Sequence, residues 1–170
     1  KYCRKLNIDW FASPWDVESV QFLKQFDIPC IKVPSALLTS RELATAIHTT
    51  RLPVILSTGM SSVREISDAI DEYSKHGKLN TIMHCTSTYP TMCNEMNLAV
   101  VGHMVRDRMI SDGRETCYIP PHTRIGFSNH YSGIVWAPAV IALGADTIEF
   151  HITLDRTMYG SDQAVSIEPD

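Results

Sequence analysis

Short apolar runs of β type alternate with amphipathic helical runs from one end of this 170-residue chain to the other, and no other feature constrains the fold so tightly. Strands separated by helices pair in parallel, each helix serving as the crossover, and the result is an α/β fold. Six strand–helix units are expected. The strands are Trp10–Ser13, Cys30–Ser35, Val54–Thr58, Thr81–Ser87, Arg124–Ser128 and Thr147–His151. Each is brief and mostly apolar, as strands covered on both faces are. The sixth has no helix after it.

Helix starts lie between these runs. Asp16 precedes Val17–Phe26, Ser40 precedes Arg41–Thr49, and Ser62 with Glu65 forms a capping-box pattern before Ile66, Ile70 and Tyr73, a helix that Gly77 ends. A fourth helix is expected over Leu98–Met109 and a fifth over Gly133–Leu143, where Pro138 should kink the helix or confine its regular part to the residues beyond. The segment Ser111–Thr123 holds Asp112-Gly113 and Pro120-Pro121 and reads as a surface excursion within one domain.

A closed barrel of strand–helix units needs eight strands and typically ~250 residues. Six units leave two readings: an open sheet, or a piece of a longer protein whose first two strands lie upstream. Leu6, Ile8 and Asp9 read as the approach to a strand with no earlier unit to pair with, which favours the second. The expectation is one catalytic domain over residues 1–170, a partial (β/α)8 barrel with two exposed edges.

Composition narrows the function. With 44% hydrophobic and 20% charged residues and a formal charge of −4, the chain can bury a substantial core and offers no clustered cationic surface for a nucleic acid backbone. No apolar run approaches the ~20 residues of a membrane span, and Lys1-Tyr2-Cys3-Arg4-Lys5 leads into no signal-peptide core. Cys3, Cys30, Cys85, Cys93 and Cys117 are odd in number and form no C-x-x-C pair, which suits a reducing cytoplasm and buried thiols.

In a parallel α/β sheet the carboxyl ends of the strands face one side, where ligands bind. Here those ends are polar: Ser13-Pro14, Lys32 to Ser35, Ser57-Thr58-Gly59, Thr86-Ser87-Thr88-Tyr89-Pro90, Ser128-Asn129-His130 and Glu149-Phe150-His151. One serine after a strand is ordinary turn chemistry. Lys32 is sharper, because an ammonium in an apolar strand is costly to bury unless an anion meets it. Ringed by Ser35, Ser57, Ser87 and Ser128, it suits a phosphate or carboxylate; the plainer reading is an edge lysine in solvent. His130 and His151 end successive strands within reach of one divalent ion, yet two ligands do not complete a site, and either imidazole could be structural. Glu149 shares the face of His151 by strand alternation, as ligand, supporting partner or base. His48, His76, His103 and His122 fall on helices or loops and read as solvated.

Four runs carry a resemblance: Lys32-Val33-Pro34-Ser35, Pro53 to Met60, His84 to Pro90, and Glu149 to Asp155. They resemble the N-acetylneuraminate (sialic acid) synthase family, in order and spacing, from Phe11-Ala12-Ser13-Pro14-Trp15-Asp16 to Ser166-Ile167-Glu168-Pro169. The resemblance implies a TIM barrel that joins phosphoenolpyruvate to the open-chain aldehyde of an N-acylated mannosamine, releases phosphate and makes a nine-carbon 2-keto-3-deoxy acid. It also implies a divalent cofactor, Mn2+ or Mg2+. By position, Lys32, Ser35, Ser57, Ser87, Tyr89 and Ser128 match residues that hold phosphoenolpyruvate, with Ser13 a weaker member. His130 and His151 match metal ligands, Glu149 an active-site acid, and Asp162, with Tyr89, the acceptor sugar's contacts. The full-length relatives add two N-terminal strands and an antifreeze-like C-terminal domain that closes the partner's site in a homodimer.

Three departures fall on the sugar side. Leu37 stands where a sugar-contacting Glu is common, Asn129 replaces the Asp of a Ser-Asp-His run, and Gln163 follows Asp162 where His is usual. A bacillosamine-derived or differently acylated mannose analogue is therefore as plausible an acceptor as N-acetylmannosamine. Two other readings stay open: a metal-dependent hydrolase on a similar barrel, which usually holds more His and Asp ligands and needs no buried lysine among serines, and a catalytically degenerate sugar-binding relative.

Overall fold

The computed structural model describes residues 1–75 and 77–169. A short helix, α1 (Tyr2–Lys5), leads to α2 (Val17–Leu23), β1 (Ile31–Val33), α3 (Arg41–His48), β2 (Val54–Ser57), α4 (Val63–Ser74) and β3 (Leu79–Cys85). Then come α5 (Ala99–Asp107), a hairpin of β4 (Met109–Ser111) and β5 (Thr116–Tyr118), β6 (Arg124–Ser128), α6 (Trp136–Ala142) and β7 (Thr147–Glu149). Among the described residues no helix is long and apolar enough to cross a membrane.

Strands β1, β2, β3, β6 and β7 form one parallel sheet whose spatial order is the chain order. Without a reversal every crossover falls on the same face, so the sheet winds one way only. It curls strongly. Four gaps of ~4.8 Å would hold the first and last strands ~19 Å apart in a flat sheet, yet Lys32 on β1 and Glu149 on β7 are in contact across the concave face at 3.2 Å. The result is a parallel half-barrel.

Side-chain alternation divides the two faces. Ile31, Val33, Val54, Leu56, Ile82, Ile125 and Phe127 point outward and pack with Val20, Leu43, Ile47, Ile66, Ile70, Val101, Met104 and Val140 from the helices. Burying each such side chain contributes ~1.5–3 kcal/mol against the entropy of ordering the chain. The alternate positions, Lys32, Ser57, Cys85, Ser128 and Glu149, face inward.

The expected helix starts are present. Asp16 accepts from the Ser19 N–H at 2.6 Å, Ser40 from Leu43, and Ser62 with Glu65 forms the reciprocal capping box. Pro138 does not kink α6, because it sits in the first turn, where its missing N–H has no helical acceptor to lose. Gly77 takes a left-handed φ of 63° just past α4, as a helix-ending glycine does.

Other expectations need correction. Trp10–Ser13 is not a strand: only Ala12 bridges to Ile31, with Trp10 and Phe11 partly exposed beside it. Ser111–Thr123 is not merely a surface excursion. The turn at Asp112-Gly113 closes the β4–β5 hairpin, which buries Cys117 against α4 with Ile119 just beyond, so this segment adds to the core. The cysteine reading divides, since Cys30, Cys85 and Cys117 are buried and Cys93 is exposed.

Candidate active site

A cavity of about 620 Å³ opens at the carboxyl edge of the sheet. Every residue singled out for the site in the sequence lines it. Ser13 precedes α2; Lys32 and Ser35 stand on and just after β1, and Ser57 ends β2. Ser87 and Tyr89 follow β3, Ser128 and His130 end β6, and Glu149 and His151 end β7. Asp162 arrives from beyond β7 because the chain folds back: Ile167 donates to the His151 carbonyl at 2.8 Å, and Asp162 Oδ2 then lies 3.7 Å from His151 Nδ1.

Lys32 is buried, 6% exposed, and it is not a solvated edge lysine. Its partner is Glu149, whose Oε1 also accepts a hydrogen bond from Ser128 Oγ at 2.8 Å. Both contacts fall on the same carboxylate oxygen. The charged groups on the cavity wall are Lys32, Glu149 and Asp162. With neutral imidazoles the wall therefore carries a net −1.

Gly59 is a site residue that sequence reading missed as such. Its N–H donates to Ser35 Oγ at 2.9 Å, which leaves the serine hydroxyl hydrogen free to point elsewhere. A Cβ on Gly59 would lie 2.1 Å from Ser87 Oγ and 2.9 Å from Ser35 Oγ. Only glycine lets these two hydroxyls converge. The Ser57-Thr58-Gly59 strand end was the available signal. Cys85 also lines the cavity, two residues before Ser87, with Sγ 3.8 Å from Ser87 Oγ; strand alternation could have placed it there.

His130 is 5% exposed and pinned. Nδ1 donates to the Thr86 carbonyl at 2.7 Å, and Nε2 is 2.6 Å from the Tyr89 hydroxyl. Burial opposes charge on this ring, but Cys85, the Thr86 carbonyl and Glu149 together outweigh it and raise its pKa. For His151 burial is the largest influence, and despite the opposing pull of Asp162 its pKa is lowered. The two rings lie 5.4 Å apart, centre to centre. Burial first, then Cys85, Asp162 and Glu149, pushes the Tyr89 phenol up to about 12, so it stays protonated and can donate.

These imidazoles fit a divalent cation in one respect: a carbonyl fixes the tautomer of His130, leaving the Nε2 lone pair on the cavity side, as supporting partners of metal-bound histidines do. Among the described residues no cluster of three or more His, Cys, Asp or Glu side chains is arranged to hold a metal. A cation here would therefore complete its shell with water and substrate oxygens, as hard divalent ions commonly do.

Other residues fall outside the site. Leu37 packs against the core and does not face the cavity, and Asn129 folds onto its own loop, its amide bonded to Tyr131. His48 is not solvated: it is largely buried and bonded to Glu72 at 3.1 Å, while His103 and His122 are exposed. His76 lies outside the described residues.

The chain matches known proteins along its whole length. The sequence profile described as the NeuB family matches residues 1–170. N,N'-diacetyllegionaminic acid synthase of Campylobacter jejuni is 34% identical over 99% of the chain and 47% of the relative. N-acetylneuraminate-9-phosphate synthase of Drosophila melanogaster is 32% identical over 99% of the chain and 42% of the relative. The crystal structure of an N-acetylneuraminic acid (sialic acid) synthetase from Leptospira borgpetersenii, in complex with citrate, superposes with a TM-score of 0.85 at 32% identity, over 98% of this chain and 54% of that one. The chain thus spans about half the length of the curated relatives it matches.

Proposed function

The chain belongs to the NeuB family, and from that premise we propose that it forms the catalytic wall of a synthase that condenses phosphoenolpyruvate with an N-acylated mannosamine-type aldose. The product is a nine-carbon, sialic-acid-like 2-keto-3-deoxy acid, and phosphate is released. One observation carries the reading: buried Lys32 and the hydroxyls of Ser35, Ser57, Ser87 and Ser128 line a single cavity with His130, His151 and Glu149. Hydroxyls and an ammonium match phosphate and carboxylate oxygens. A hydrolase that used the imidazoles alone would have no use for them.

The residues divide the work. Lys32 and the serines, with Ser13 at the margin, bind and orient the anion. Tyr89 and Asp162 face the space left for the sugar. His130 and His151 are the ligands assigned to a divalent ion, Mn2+ or Mg2+, which when bound supplies Lewis acidity toward the acceptor's aldehyde oxygen and offsets the charge of the anion. Carbon–carbon bond formation then leaves positive charge at C2 of the former enol. Glu149 takes a proton from the water that adds there; Lys32 and Ser128 both engage its Oε1, so Oε2 is the oxygen assigned to that task. Phosphate departs from the resulting tetrahedral carbon as the new C2 hydroxyl gives up its proton to become the keto group, and the former aldehyde oxygen takes up a proton to become a hydroxyl.

The acceptor follows from the apolar rim. Trp15, Met60 and Phe150 line the cavity, each substantially exposed. That favours a deoxy, di-N-acylated sugar of the legionaminic type over a fully hydroxylated chain. The experiment is phosphate release from phosphoenolpyruvate, by protein expressed from its complete coding sequence, across a panel of mannosamine derivatives. Release that depends on one of these sugars is expected; no release with any of them, while phosphoenolpyruvate binds, would leave a degenerate binding protein.

A further inference from the structure

One contact in the cavity has no task in the reaction proposed above. The Tyr89 hydroxyl is 2.6 Å from Nε2 of His130, and the two rings lie 3.9 Å apart, inclined at 30°. The opposite nitrogen, Nδ1, is 2.7 Å from the Thr86 carbonyl. A carbonyl only accepts, so Nδ1 carries a proton, and in the neutral ring Nε2 then presents its lone pair. Cys85 Sγ, at 3.9 Å from Nδ1, is too distant to compete with that carbonyl. The phenol is therefore the donor, and it occupies the ring nitrogen that faces the cavity. The same ring meets His151 edge-on at 5.8 Å, so it contacts both imidazoles.

We infer that Tyr89 is an internal cap on the cation-binding nitrogen of His130, which a divalent ion must displace before it can be held. The inference rests on the assignment of His130 and His151 as metal ligands. The cap and not the ligand is the part that moves. His130 is buried and tied to the backbone, whereas Tyr89 lies outside regular structure after β3 and is 49% exposed. Displacement frees the phenol hydroxyl to donate to an oxygen of the bound substrate. Tyr89 would thus set how tightly the ion is held and couple its arrival to the opening of the sugar side.

Mn2+ binding to the full-length protein, measured by calorimetry and electron paramagnetic resonance, tests this with Tyr89→Phe beside the unaltered protein. Phenylalanine keeps the ring and deletes the donor, so Mn2+ should bind about 2- to 10-fold tighter, the equivalent of one net hydrogen bond. Equal or weaker binding by the variant overturns the cap while leaving the metal assignment in place. Absence of Mn2+ binding by either protein, or binding that His130→Ala does not weaken, overturns the metal assignment and the cap with it. A readout that needs no metal comes from long-range 1H–15N spectra of the imidazoles. Nε2 of His130 should appear as a hydrogen-bonded, unprotonated nitrogen that moves to its unbonded position in Tyr89→Phe, and an unbonded or protonated Nε2 at neutral pH in the unaltered protein overturns the cap.

Discussion

Lys32 and Glu149 stand on the two edge strands of the half-barrel and meet across its concave face, Nζ to Oε1, at 3.2 Å. The ammonium is therefore paired before any ligand arrives, and an anion entering the cavity must share it with Glu149. Ser128, bonded to the same carboxylate oxygen, steadies the pair.

Lys32→Ala should weaken phosphoenolpyruvate binding by about 10- to 100-fold, the range expected for loss of a charged hydrogen-bond donor. The substitution also deprives Glu149 of its cation, but the Glu149 side chain is 36% exposed and water can take over. Calorimetry should show the weaker binding, and the melting temperature should change little. Unaltered affinity would remove Lys32 from the anion site.

Glu149→Gln separates binding from chemistry. Removing a negative charge beside the anion should leave phosphoenolpyruvate affinity unchanged or improved, whereas kcat should fall by about 10²- to 10⁴-fold if the carboxylate assists water. Steady-state phosphate release gives both parameters. A variant with normal turnover would exclude the role.

Gly59→Ala adds a methyl group where Ser87 Oγ would be 2.1 Å away. The hydroxyl cradle must spread, so phosphoenolpyruvate binding should be lost together with about 1–3 kcal/mol of stability from overpacking. Denaturant unfolding and calorimetry measure the two effects. Tight binding by Gly59→Ala would show that Ser35 and Ser87 do not act together.

At the start of α4, two residues after the cavity-lining Met60, Ser62→Ala should cost about 1 kcal/mol of unfolding free energy at neutral pH by removing the cap of the helix. Its partner Glu65 is held below the usual glutamate range, chiefly by the Ser62 backbone N–H, which the variant keeps, and further by the Ser62 hydroxyl, which it loses. A depressed folded-state pKa means that this support is fully present above the unfolded value and disappears as pH falls through the folded one. The difference between Ser62→Ala and the unaltered protein should therefore shrink on acidification below pH ~4, and urea titrations at several pH values would show whether it does.

Much of the architecture was legible because hydrophobic period and caps are local. The runs at Arg124–Ser128 and Val54–Thr58 correspond to β6 and β2 within a residue, and the capping box marked α4 correctly. Trp10–Ser13 misled because an apolar run states that a segment can be a strand, while pairing depends on a neighbour's edge, which only Ala12 meets. The β4–β5 hairpin was hidden because each strand is three residues long, too short for alternation to register against the turn signals.

From its order of residues alone, this chain determined which side chains end the strands of a parallel sheet, and so which ones could share a cavity. Local propensity and alternation are enough for that. Tertiary structure alone decided who pairs with whom: that Lys32 has a carboxylate partner, that the Tyr89 hydroxyl meets His130, and that Gly59 brings Ser35 and Ser87 together. Those contacts join residues far apart in the chain, and their distances depend on how sharply the sheet curls and on which rotamers the packing permits, quantities no local pattern encodes.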